Sequence, residues 1–266
     1  MNSTDEFASV KVERRGWGTW IFLSRPKAMN AMSVELLDEL ERAIEAVRHD
    51  DATRVLVIAG SRQAFCTGAD LQQIMASLDD RTPGTIDFLE KIQIVFDKLR
   101  EYPKPVIAAV EGYALAGGLE LVMCCDLVFA SESAKLGDAH SNFGILPGAG
   151  GAAVLPRKIG LSNAKYLLFT GNSLPARRWM ELGLVNEVFA DEDLQREVEK
   201  VVEHLARKSP LVLREMKRLA NKAIDQDLRS ALDSEALALR YHLRSHDLAE
   251  GLDAFRNKRS PEFKGF

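Results

Sequence analysis

Twice along this chain an apolar, strand-like run leads through a glycine-bearing turn into a helical segment. Arg54-Val-Leu-Val-Ile-Ala59 precedes Phe65-Cys66-Thr67-Gly68-Ala69-Asp70, and Pro105-Val-Ile-Ala-Ala-Val110 precedes Tyr113-Ala114-Leu115-Ala116-Gly117-Gly118-Leu119-Glu120. A repeated strand–turn–helix order implies parallel pairing with right-handed crossovers, and therefore an α/β fold. Glycine lets the main chain bend where a side chain would clash and lets a ligand come close to the backbone. The first N–H groups of a helix have no partner within it. Two such turns side by side can aim two N–H groups at one oxygen, the geometry that stabilises an oxyanion. Glu120 stands at the start of the second helix and brings a carboxylate to the same place. That combination suggests acyl chemistry, although a single strand–glycine–helix turn also serves simply to pack helix on strand.

With 266 residues, 46% of them hydrophobic, the chain can bury one substantial core, or a core and a smaller lobe. A net charge of −4 argues against a nucleic-acid surface, which needs clustered Lys and Arg. No run approaches the roughly 18 apolar residues of a membrane-spanning helix. The start, Met1-Asn-Ser-Thr-Asp-Glu6, is polar and acidic, unlike a secretory or mitochondrial presequence, so a cytoplasmic location is expected. Cys66, Cys124 and Cys125 have neither metal-ligand spacing nor a disulfide framework, and the adjacent pair reads as small hydrophobes on a buried helix.

Residues 10–24 alternate as a hairpin with its turn at Arg15-Gly16-Trp17-Gly18. Ser33 caps a helix whose apolar face is Leu36, Leu37, Leu40, Ile44 and Val47. Helices are expected over 70–78 and 85–101 and a further strand over 126–130, with Asp126 structural at the join. From Asp191 onward the chain reads as helical: 193–208, 210–224, 228–241 and 247–258, with Pro210 suited to a helix start. The expected division is a core over 1–190 carrying the site and a helical lobe over 191–266. The loop from Ser77 to Gly84 reads as a lid or as an ordinary surface loop.

The two turns together resemble the enoyl-CoA hydratase/isomerase, or crotonase, superfamily. The resemblance continues, in order, through Leu23-Ser-Arg-Pro-Lys-Ala-Met-Asn-Ala31, Cys125-Asp126-Leu-Val-Phe-Ala130 and Gly144-Ile-Leu-Pro-Gly-Ala-Gly-Gly151. It extends to Leu168-Phe-Thr-Gly171, Gly183-Leu-Val-Asn186 and Lys258-Arg-Ser-Pro-Glu-Phe263. It implies a coiled stack of ββα units with a C-terminal helical lobe that covers the site and builds homotrimers or homohexamers. By motif position the oxyanion donors are the amides of Ala69 and Gly117, and Glu120 is the acid–base residue. His140, in Leu136-Gly-Asp-Ala-His140, stands where family hydratases carry a second glutamate. A histidine can exchange protons near neutral pH but cannot supply the same charge pattern. Asp138, a neighbour of His140 in sequence, is assigned no catalytic role. The Gly148-Ala-Gly-Gly151 turn is expected to help shape the pocket.

The resemblance also implies an acyl-CoA thioester partner, with coenzyme A entering as part of the substrate and no tightly bound cofactor or metal. Residues expected to meet it are Ala28, Ala64, Gly68, Asp70, Leu71 and Gln72, with Lys258 and Phe263 of the tail, often from a neighbouring subunit. The leading expectation is a 2-enoyl-CoA hydratase in which Glu120 works with a water held by His140. Alternatives are a 3-enoyl-CoA isomerase using Glu120 alone, or a carbon–carbon hydrolase using His140. The hydrolase reading is weakened by Ala149, where some family hydrolases have an aspartate. A noncatalytic CoA- or RNA-binding protein is the alternative of a different class.

Overall fold

The alternating N-terminal pattern forms β1 (Val10–Arg15), paired antiparallel with β2 (Gly18–Leu23). The computed structural model describes residues 7–79 and 87–266. Ser33 caps α1 (Val34–Arg48) by accepting a hydrogen bond from the Leu36 N–H at 3.2 Å, and the predicted leucine stripe is buried.

A two-strand unit then repeats. β3 (Val55–Ala59) and β4 (Ala64–Cys66) lead into α2 (Leu71–Asp79) and α3 (Phe88–Arg100). β5 (Val106–Val110) and β6 (Tyr113–Leu115) lead into α4 (Gly117–Met123), and β7 (Leu127–Ser131) and β8 (Lys135–Gly137) into a 3-10 turn, His140–Phe143. The chain continues through α5 (Leu155–Ile159), α6 (Leu161–Thr170), β9 (Ser173–Pro175), α7 (Ala176–Glu181) and β10 (Glu187–Phe189). Among the described residues the first strand of each unit joins a sheet ordered β1-β2-β3-β5-β7-β10, and the second joins one ordered β4-β6-β8-β9. This is the expected spiral of ββα units.

Every residue of β3 and β5 is buried, as befits parallel strands covered on both faces. Leu56 and Ile58 face the main core with α1 and α3, while Val55 and Val57 face a second cluster containing Trp20, Ile107, Leu194, Val198 and Val202. The last three belong to α8 (Leu194–Ala206). The first helix of the stretch expected as a helical lobe therefore packs on the core sheet.

Serine or aspartate caps start α9 (Pro210–Ala223), α10 (Leu228–His242) and α11 (His246–Arg256), the caps being Ser209, Asp227 and Ser245. α9 is tied to the core by Lys217, whose Nζ donates to Asp126 Oδ2 at 2.7 Å. Asp126 Oδ2 also accepts from the Val106 N–H at 2.8 Å and the Asp126 N–H donates to Val106 O at 2.8 Å, a structural role at the join. No helix among the described residues is long and apolar enough to cross a membrane. Residues 77–79 of the expected lid continue α2, and the rest of that segment lies outside the described residues.

Candidate active site

Because β4 and β6 are parallel neighbours, the two glycine-bearing turns leave the second sheet side by side. A Cβ built on Gly117 would lie 3.5 Å from the Ala69 nitrogen, so the two backbones are nearly in contact. The first turn is held by Met32, whose N–H donates to Gly68 O and whose carbonyl accepts from the Asp70 N–H, both at 2.8 Å. Among the described residues, neither the Ala69 nor the Gly117 N–H donates to a protein acceptor. Ala116, just before α4, has φ 50° and ψ −120°, a conformation costly for any residue with a Cβ. Strain of this kind persists only where the surroundings enforce it, and here it orients the first amide of α4. Gly118 must be glycine, since a Cβ there would lie 1.9 Å from the Cys66 carbonyl oxygen.

Glu120 sits buried in the first turn of α4. Its Oε1 accepts hydrogen bonds from the N–H groups of Ala149 at 2.9 Å and Gly151 at 2.8 Å. The turn carrying those amides is held from α3, where Gln93 Nε2 donates to Gly148 O at 3.1 Å and Arg100 donates to Ala149 O. The Gly148–Gly151 turn thus grips the carboxylate directly, a role its glycine content alone does not reveal. Glu120 Oε2 faces His140 Nε2 across 3.9 Å, too long for a direct hydrogen bond and short enough for a shared water.

Asp138 departs from the expectation. The chain is not extended after β8: Ala139 has φ −98° and ψ 5°, and a 3-10 turn begins at His140. Asp138 Oδ1 lies 2.9 Å from His140 Nδ1 and accepts from the His140 N–H at 3.2 Å. Burial of the ring disfavours its charged form, but the Asp138 hydrogen bond and the charges of Asp138 and Glu120 outweigh burial and raise the His140 pKa above the ordinary value. Glu120, His140 and Asp138 form one line of titratable groups, and the spacing of two between Asp138 and His140, which shares a face even in an extended stretch, is the sequence signal for it.

Around the first turn, Asp70 Oδ2 pairs with Arg25 Nη2 at 3.2 Å, and Asp70 Oδ1 accepts from the Gln72 N–H at 3.1 Å. Asn30 Nδ2 donates to Ala64 O at 2.8 Å, and Thr67 Oγ1 to Met29 O at 3.2 Å, docking the segment with Ala28 against the segment with Gly68. Leu71 and Gln72 are exposed at the start of α2. Arg25 is an addition that its neighbourhood in sequence does not single out. Among the described residues no hydrogen bond links Lys258 or Phe263 to this group. Phe263 O accepts from Arg54 Nη2 at 3.3 Å, just before β3. The three cysteines are free and buried, and burial pushes the Cys66 and Cys124 thiols up to about 12, which leaves them unsuited to nucleophilic work.

A spiral of ββα units that brings a carboxylate and an imidazole together beside unpartnered amides is the architecture of an enzyme. The chain belongs to the enoyl-CoA hydratase/isomerase family, whose model matches residues 19–265. It is similar to the crotonyl-CoA hydratase of Syntrophomonas wolfei, with 39% identity over 91% of this chain and 93% of that protein. The 2,3-dehydroadipyl-CoA hydratase of Escherichia coli is 35% identical over 91% and 93%. Among solved structures, an enoyl-CoA hydratase from Bacillus anthracis superposes with a TM-score of 0.90 at 34% identity, covering 97% of this chain and all of that one.

Proposed function

We propose that this protein adds water across the double bond of a 2-enoyl-CoA thioester. The observation that carries the reading is the 3.9 Å gap between Glu120 Oε2 and His140 Nε2, beside the free amides of Ala69 and Gly117. A water in that gap is held by both groups. With the thioester oxygen received by the two amides, Glu120 Oε2 takes one proton of the water as its oxygen bonds to Cβ. The electron pair of the double bond moves toward the thioester, and the amides bind the resulting enolate oxyanion more strongly than the neutral carbonyl. His140 Nε2 then delivers a proton to Cα, and the proton on Glu120 returns to His140 to close the cycle. Losing one donor of such a hole typically costs about 2.7–4 kcal/mol of barrier. Coenzyme A is part of the substrate in this scheme, and no tightly bound cofactor takes part. The printed names of the Syntrophomonas wolfei and Escherichia coli relatives support hydration over double-bond migration.

Purified protein incubated with crotonyl-CoA in heavy water is expected to yield the hydroxyacyl product with one deuterium at Cα, read by mass spectrometry. Migration of the double bond, chain cleavage or binding without turnover would each overturn hydration.

The working form in this proposal is a homotrimer or homohexamer. Its support is apolar surface that one chain leaves bare, including Leu146 (87% exposed), Phe169 (76%) and Phe255 (86%). Three free, buried thiols suit a reducing cytoplasm.

A further inference from the structure

We propose that Asp138 positions His140, holding the ring with Nδ1 turned to its own carboxylate and Nε2 turned to Glu120. The inference rests on the hydration reading for what His140 does, but its geometry stands apart from turnover. An ionised carboxylate only accepts, so the 2.9 Å contact with Asp138 Oδ1 puts the hydrogen on Nδ1. Nε2 is then the nitrogen that exchanges protons, and it is the one facing Glu120 Oε2. The same Oδ1 also accepts from the His140 backbone N–H, so main chain and ring are fixed by a single acceptor.

The other oxygen separates this carboxylate from a structural one. Asp138 is fully buried, yet its Oδ2 has no hydrogen-bond partner among the described residues. Asp247, also buried, is by contrast satisfied by Ser209 Oγ and by the N–H groups of Lys264 and Gly265. A buried carboxylate with an open oxygen is costly unless a positive charge stands beside it, and the His140 imidazolium supplies that charge. Gly151 ties this arrangement to the rest of the site. Its N–H donates to Glu120 Oε1, and a Cβ on it would lie 2.6 Å from Asp138 Oδ2. The turn that grips the base therefore closes directly on the residue that orients the acid.

The charges acting on the ring are those of Asp138 and Glu120. Lys165 and Tyr166 of α6, which packs against the 3-10 turn, are exposed, as are Lys135 of β8 and Tyr113 of β6. Residues 148–151 carry no titratable side chain. During turnover the proton leaves from Nε2 to Cα and returns to Nε2 from Glu120.

The test is nitrogen-15 NMR of the labelled, substrate-free protein, with His140→Gln identifying the His140 signals. The expected wild-type spectrum has Nδ1 protonated throughout and Nε2 titrating above the ordinary value of about 6.5. In Asp138→Asn the titration is expected to fall by about one unit or more, since both the hydrogen bond to an anion and the anion are lost. The basic limb of the kcat profile should move to lower pH with it, and kcat at neutral pH should fall about tenfold or more with KM little changed. A neutral Nε2–H tautomer in the wild type would overturn the proposal, and so would an unchanged titration in folded Asp138→Asn. If that variant does not fold, the wild-type tautomer and titration decide. An Nδ1–H tautomer in a protein that does not hydrate enoyl-CoA would overturn the hydratase reading and leave the positioning role standing.

Discussion

Glu120 Oε1 is tied down by two amides while Oε2 is left facing His140, which makes glutamine an informative replacement there. A glutamine carbonyl can keep both amide contacts, but the side chain cannot carry a proton between water and substrate. Glu120→Gln is therefore expected to lower kcat by about 10²–10⁴-fold with the melting temperature nearly unchanged. His140→Gln should cost less, about 10²-fold, because the base and the amides remain. Steady-state kinetics on crotonyl-CoA with thermal melts of both variants check this. Full activity in Glu120→Gln would remove the carboxylate from the reaction.

Asp247, in the first turn of α11, fastens the end of the chain. It accepts from Ser209 Oγ at 2.5 Å and from the Lys264 and Gly265 N–H groups at 2.8 and 3.0 Å, while its own N–H donates to Phe266 O at 3.2 Å. Burial pushes its pKa up, but the Ser209 hydrogen bond and the two amides outweigh burial and hold it below the ordinary carboxylate range. A folded-state pKa below the unfolded one contributes stability that is present above the unfolded value and lost as pH falls through the folded value. Asp247→Ala is expected to destabilise the protein by about 2–3 kcal/mol at neutral pH, since it removes hydrogen bonds to a charged acceptor. The difference from wild type should shrink as the solution is acidified toward about pH 3. Urea denaturation at both pH values checks the magnitude and the sign, and equal loss at both would exclude a charge-dependent latch.

The whole molecule leaves two kinds of surface open that assembly would use. α9 and α10 bury no residue of their own, and Leu228 and Tyr241 stand exposed on α10. On the core, Phe143 in the turn that carries His140 and Leu146 just after it are exposed. Light scattering is expected to give a trimer or hexamer whose dissociation lowers activity. A fully active monomer at every accessible concentration would overturn that expectation.

Residues alone are enough for the elements whose burial is written into local pattern. The hairpin, α1, β3, β5, β7 and α8 follow from apolar pattern because each buries the residues that pattern marks, and α9, α10 and α11 are announced by their capping residues Ser209, Asp227 and Ser245. The three-residue strands β4, β6 and β8 are too short for any period, and only pairing with one another defines them. The same division holds at the site. Glu120, His140, Ala69 and Gly117 can be picked out from motif order, whereas the grip on Glu120 comes from Gly151, 31 residues away. Asp138 is next but one to His140, a spacing that permits their contact, but only the folded turn shows its Oδ1 on His140 Nδ1. Local sequence determines which segments bury apolar surface and which residue types are available. Convergence of distant amides and carboxylates on a single point is decided by the stacking of the two sheets, because no single segment holds all the partners.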